Sequence, residues 1–249
     1  SSRLVDPTNW DPARPYYFYW SAGSSVILSD IIKLPKEISY LKYRINYATT
    51  GRDPRTPYVT SNRFSQSTFT GGGFSPFVTQ GNPALRAEFS QQFETGIEAK
   101  FFKGRMGIDL TYYANKTVDQ LLNPRLSYAS GAILKWINGG DVVNRGLELQ
   151  LTATPVKTKK FTWDVTVNWA RNRNEILRMP SDLPFFYNAD TWIGGIRNIA
   201  TKGGSVFDLA ATRFLRNTAG DVLISPTSGL PVRISDYIKV ADRQPDWNM

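Results

Sequence analysis

Between Asn144 and Arg173 the chain alternates apolar and polar residues almost without a break. Leu147, Leu149, Leu151 and Ala153 fall on one parity, continued after a turn by Phe161, Trp163, Val165, Val167 and Trp169. Glu148, Gln150 and Thr152, then Thr162, Asp164, Thr166 and Asn168, fall on the other. Successive side chains of a strand point to opposite faces, so this stretch predicts a β-hairpin greasy on one face and polar on the other. The intervening Pro155–Lys160 segment supplies the turn. Two settings suit such a hairpin. A soluble sandwich buries the greasy face, whereas a membrane barrel turns it to lipid and encloses water on the polar side.

Hydropathy averages do not separate these settings. The mean value of −0.33 reads as soluble, and no run of about 18 apolar residues exists to make a helical span. A strand that crosses a bilayer escapes that test, because only alternate residues need be apolar. The 249 residues include neither Cys nor His. That removes cysteine nucleophiles, thiolate and imidazole metal sites, His-based hydrolase triads and disulfides. An enzyme would be left with carboxylate, Lys or Tyr chemistry, and no carboxylate pair stands in a recognisable cleft pattern. No enzyme, metal or cofactor is expected.

The formal charge is +9, from 30 basic and 21 acidic residues. The basic residues are scattered, with Lys157, Lys159 and Lys160 in the hairpin turn and Arg171 and Arg173 at a strand exit. They read as solvated turn charges, and no nucleic-acid partner is expected. Gly71–Gly73 lacks the Lys-Ser/Thr of a phosphate-cradling loop and reads as a flexible connection.

Seven segments carry strand patterning, near residues 17–28, 39–50, 91–102, 105–116, 142–154, 161–173 and 204–215. They exceed the usual 5–6 residues of soluble strands and suit a tilted crossing of roughly 9–11. Their connections alternate short (29–38, 103–104, 155–160) and long (51–90, 117–141, 174–203). Long loops gathered at one end are a habit of outer-membrane barrels, as are aromatics near strand ends such as Phe101, Phe102, Tyr112, Tyr113, Phe161 and Trp169. A soluble β-sandwich that binds glycans is the rival reading. Seven strands cannot close in lipid without leaving backbone groups unpaired, so the membrane reading predicts an arc of a larger barrel. The chain starts and stops without a leader or a terminating element, which suggests a segment of a longer protein.

On the polar face Lys42, Arg44, Glu94, Glu98, Asp109, Glu148 and Asp164 read as a mixed-sign ladder that pairs across strands. Ligand contact is expected instead from aromatics of the long loops: Tyr128, Trp136, Tyr187 and Trp192, with Phe185 and Phe186 beside them.

Several ordered motifs resemble a known family. Ile38–Tyr47 with Gly51 and Pro57-Tyr58 is the first, followed by Asn82-Pro83-Ala84-Leu85-Arg86 leading to Glu94-Thr95-Gly96. Arg105 to Tyr113 is next, then Trp136-Ile137-Asn138-Gly139-Gly140 with Asn144-Arg145-Gly146-Leu147-Glu148, and finally Pro245-Asp246-Trp247. Together they resemble the barrel of SusC/RagA-type TonB-dependent outer-membrane transporters. The resemblance covers most of residues 14–249. It implies an all-β, antiparallel transmembrane barrel of about 22 strands, of which these residues form a late part, without plug or last strands. It also implies a Gram-negative outer membrane, import of oligosaccharides or peptides, a SusD-like surface lipoprotein and the TonB motor. The chain departs from the family pattern at Ala87, through 203–214, and at Arg243-Gln244. A second implied role is therefore a barrel serving as a structural or assembly subunit of a larger envelope complex.

Overall fold

A computed structural model describes residues 2–4, 16–54, 56–66, 72–76, 78–126, 129, 131–180, 183–189 and 195–249. Its largest element is a six-stranded antiparallel sheet. The strands are β1 (Ser21–Ile27), β2 (Ile38–Arg52), β3 (Glu88–Phe101), β4 (Met106–Leu122), β5 (Ile137–Lys157) and β6 (Thr162–Arg178), each paired with its sequence neighbour. This meander follows six of the seven strand segments read from the sequence. Tyr16–Phe18 does not extend β1 but pairs with Ser2–Leu4.

Register aligns the apolar residues into rows that cross the whole sheet. One row runs Val26, Tyr43, Ile97, Leu110, Leu149 and Trp169, and a parallel one runs Leu41, Ala99, Ile108, Leu151 and Val167. The alternating parity carries Lys42, Glu98, Asp109, Gln150 and Asn168 in one row and Asn46, Glu94, Tyr113, Gly146 and Asn172 in another. Among the described residues the larger side chains of this face stand open: Ile97 is 45%, Leu110 41% and Leu147 40% exposed. In water each such side chain would forgo the still-exposed share, roughly two-fifths, of the roughly 1.5–3 kcal/mol that full burial gives. The rows therefore demand an apolar environment outside the chain.

The short connections gather at one end. Between β3 and β4, Phe102 and Lys103 adopt left-handed φ of 53° and 57°, and Gly104 N donates to Phe101 O at 3.0 Å. Two successive positive φ values make a type I′ turn, whose twist matches the strands it joins. The β5–β6 hairpin closes through Thr158, whose Oγ1 accepts from the Phe161 amide at 2.9 Å.

At the other end the 174–203 loop departs from the sequence reading. The segment near 204–215 is not a seventh wall strand. It forms β9 (Asp208–Phe214) of a second, four-stranded sheet with β7 (Phe185–Ala189), β8 (Ile196–Thr201) and β10 (Arg233–Asp242), in the order β7-β8-β9-β10. The edge of β6 is occupied by other residues. Ile176 exchanges two backbone hydrogen bonds, 2.8 Å each, with Gly203 and Gly204, and Ala170 exchanges two, of 2.9 and 2.8 Å, with Asn248. Arg173 also forms an ion pair with Asp246. The chain thus returns to the edge of β6 at Asp246 and Asn248, after an excursion that spans the entire second sheet.

Candidate functional site

The wall's polar face is cross-linked strand to strand. Arg44 holds Asp109 through two hydrogen bonds of 3.0 and 2.8 Å and approaches Glu94 at 3.8 Å. To reach Asp109 on β4 it must cross β3, and it does so over Gly96, where a Cβ would stand 2.9 Å from Arg44 Nε. Tyr113 likewise lies across Gly146 to donate from its hydroxyl to Asn172 Oδ1 at 3.1 Å. These two glycines of the Glu-Thr-Gly and Asn-Arg-Gly motifs are passages for neighbouring side chains. Gln150 donates to Asn168 at 3.0 Å, Asn174 to Asn144 at 2.8 Å, and Thr154 to Asp164 at 2.6 Å. The ladder is thus a structural lattice in which Arg44, Glu94, Asp109 and Asp164 have partners inside the chain. A cavity of about 450 Å³ lies over it, floored by Arg44, Asp109 and Glu148 and bounded by Asn248 and Met249.

Loops are tied down where the long connections begin. The side chain of Asn138 accepts from the Arg86 amide (2.8 Å) and donates to the carbonyls of Arg86 (2.7 Å) and Asp119 (2.9 Å). Asp119 stands at a β-bulge with φ of 52°, and its carboxylate meets both Arg86 and Arg178 at 3.0 Å. Arg178 also reaches Asp141 at 2.9 Å. Burial raises the Asp141 carboxyl, but the hydrogen bonds from Arg178 and the Asp119 amide, with the charges of Arg178 and Lys116, bring it below its ordinary 3.8.

Of the four loop aromatics expected to touch ligand, Tyr128 and Trp192 lie outside the described residues. Trp136 is half-buried where two long loops meet, its amide donating to Gln80 O at 3.2 Å beside the pairing of Thr79–Gln80 with Leu134–Lys135. Tyr187 stands on β7 and meets partners that sequence spacing does not reveal. Its ring is edge-on to Phe185 (centroids 5.4 Å) and to Tyr237 of β10 (5.8 Å), and Arg197 of β8 lies over both tyrosines.

The second sheet is anchored by its other face. Phe186 and Ala200 pack with Val206 and Met179 on Val142 and Ile176, at the long-loop end of β5 and β6. Asp208 is fully buried. Its Oδ2 accepts from the Ser205 amide at 3.0 Å, and Oδ1 faces Lys239 Nζ at 2.6 Å in a charge contact without an aligned hydrogen bond. Among the described residues no group of acidic, His or Cys side chains is arranged to hold a metal.

A curved meander with apolar rows outside, a polar lattice inside and loops massed at one end is an arc of a transmembrane β-barrel. Residues 6–223 match the model of the TonB dependent receptor-like β-barrel family, and the chain belongs to that family. It is 26% identical over 198 residues to TonB-dependent receptor P3 of Formosa agariphila, covering 76% of this chain and 20% of that protein. To TonB-dependent receptor SusC of Bacteroides thetaiotaomicron it is 27% identical over 188 residues, covering 72% and 18%. The solved structure of the RagAB peptide transporter shares the fold, with a TM-score of 0.76 at 21% identity, covering 96% of this chain and 27% of that one. The resemblance to SusC/RagA-type receptors read from the motifs is therefore borne out. The chain spans about a fifth of the length of these curated relatives.

Proposed function

We propose that these residues form one barrel segment of an outer-membrane receptor of SusC/RagA type, which imports oligosaccharides or peptides in a TonB-dependent cycle. The observation that carries the reading is the two-faced wall: apolar rows left uncovered outside, and Arg44, Asp109 and their neighbours locked together inside. In this reading the wall does no chemistry. Ligand is captured at the long-loop end under a SusD-like lipoprotein lid, and a plug contributed from outside these residues responds to TonB. The relatives named SusC and RagAB support a two-component receptor, and the relation to receptors and transporters supports binding rather than catalysis.

The test uses cells that carry the full-length gene. Labelled oligosaccharide and peptide pools are offered with and without an intact TonB system. Energy-dependent uptake of at least one pool is expected, and it should vanish when TonB is lost. Uptake of neither pool in energised cells contradicts the proposal and favours a structural place in an envelope complex.

A further inference from the structure

We infer that the face of the second sheet that carries Tyr187, Arg197 and Tyr237 is a recognition site for a carboxylate group on the ligand, with Arg197 as its donor. The sheet places the residues that build it in register. Arg197 on β8 stands opposite Ala210 on β9, and Ala210 stands opposite Lys239 on β10. Tyr187 on β7 is paired with Ile199, two residues from Arg197 on β8, and Tyr237 lies two residues from Lys239 on β10, so both tyrosines share this parity. Ala210 is small and fully buried, so the side chains from the outer strands close over it and meet at Arg197.

The geometry is a notch and not a sandwich. The Arg197 guanidinium carbon lies 4.8 Å from the Tyr187 centroid and 4.7 Å from that of Tyr237, while the two centroids are 5.8 Å apart. That triangle is close to equilateral. Two rings stacked on opposite sides of the guanidinium would stand about twice as far from each other as from it. Both therefore lie on one side of it and leave the other side to a ligand. The two rings meet at 68°, which turns an edge of one toward the other and steadies both.

Lys239 is held by Asp208, but the polar ends of Arg197, Tyr187 and Tyr237 have no partner among the described residues. Among the described residues, Arg197 makes no ion pair or hydrogen bond, and neither do the hydroxyls of Tyr187 and Tyr237. Other arginines at this end are neutralised: Arg86 and Arg178 share Asp119. A planar guanidinium fixed by cation–π contact has lost most of its rotamer freedom before any ligand arrives. Its remaining donors form a fork that matches the two oxygens of a carboxylate. Tyr187 and Phe185 extend the surface with flat faces suited to the apolar side of a sugar ring or to a peptide side chain. The opposite face of the sheet is fastened to Val142 and Ile176, so the notch is held on a rigid mount.

This site deepens the import reading and rests on it. A carboxylate occurs in both proposed cargo classes, as a uronic acid of an oligosaccharide or the free terminus of a peptide. Binding to purified full-length receptor in detergent separates them. The probes are an oligogalacturonate with its carboxyl-reduced neutral counterpart, and a short peptide pool with free or amidated C-termini. The expected result is a preference of at least about tenfold for the carboxylate member of one pair, reduced to within about twofold by Arg197→Gln. Arg197→Lys keeps the charge without the planar fork and should retain only part of the preference. Tyr237→Phe keeps the ring and should retain nearly all of it. Correct folding is followed by the heat-shifted gel mobility of the barrel, which Arg197 does not touch. No preference in either pair, or a preference that survives Arg197→Gln, overturns the inference. Binding that depends on Arg197 without TonB-dependent uptake in cells would uphold the notch and overturn the import reading.

Discussion

The two sheets of this chain obey the same alternation rule and answer to different solvents. The six-stranded wall keeps its apolar rows outside, with Ile97, Leu110 and Leu147 uncovered, and gathers its charges into the Arg44–Asp109–Glu94 lattice. The four-stranded sheet does the reverse. It buries Phe186 and Ala200 against Val142 and Ile176, and presents Tyr187, Arg197 and Tyr237 on its other face. One is a membrane wall and the other a small sheet packed against its rim. On this difference rests the proposal that the first is scaffold and the second a recognition surface.

Substitutions that exchange the solvents should have the largest effect. Leu110→Arg, in the middle of an apolar row, should cost about 2–4 kcal/mol of folding stability in bilayers, whereas Gln150→Arg on the lattice face should cost less than about 1. Reversible folding of the full-length receptor into lipid vesicles measures both. Equal costs would break the distinction between the faces.

Next is the anchor of the second sheet. Asp208→Ala removes a buried acceptor and leaves the Ser205 amide without its hydrogen bond, for about 1–3 kcal/mol. The loss should be local. Hydrogen exchange should quicken in β7–β10 while β2–β6 stay protected, and uniform quickening would show that the two sheets are one cooperative unit.

Gly146→Ala sharpens the account of the wall motifs. Its new Cβ would meet the Tyr113 ring and the Arg171 carbonyl oxygen, the latter at 2.8 Å, so a loss of about 1–3 kcal/mol is expected. The nearest atoms to a Cβ in Gly96→Ala belong to the flexible side chain of Arg44, so this change should cost less. Equal tolerance of both, in the same vesicle assay, would deny the passage role.

The smallest effect concerns pH. The Asp141 carboxyl is depressed in the folded chain, so its pairing with Arg178 contributes fully above the ordinary carboxylate value of 3.8 and is lost as pH falls through the lower folded value. Arg178 is about half exposed, which limits the contribution to less than about 1 kcal/mol. Protection of the β5–β6 rim amides, measured relative to their intrinsic exchange rate at each pH, should fall below pH 4 in the native chain and lose this dependence in Asp141→Asn.

The wall was legible in the sequence because a period of two sustained over a dozen residues has few other meanings. The Leu147–Trp169 hairpin and the alternation of short and long connections carried it. The second sheet was not legible, since β7 and β8 are short, and β9 reads Asp-Leu-Ala-Ala-Thr-Arg-Phe without clean alternation. The segment near 204–215 therefore passed for another wall strand. Tyr187 was readable as a loop aromatic, but Arg197 was not. Its proposed role depends on Tyr237, forty residues away, closing over Ala210. Gly96 and Gly146 belonged to motifs whose physical reason, a neighbour's side chain crossing above them, emerges only from register.

The central claim is that lipid lies against one face of the wall and water against the other. Nitroxide labels placed singly at Leu110 and Gln150 of the full-length receptor in lipid vesicles test it directly. Accessibility to oxygen, which concentrates in the bilayer, should dominate at Leu110, and accessibility to a water-soluble nickel chelate should dominate at Gln150. The same aqueous accessibility at both positions would contradict the account.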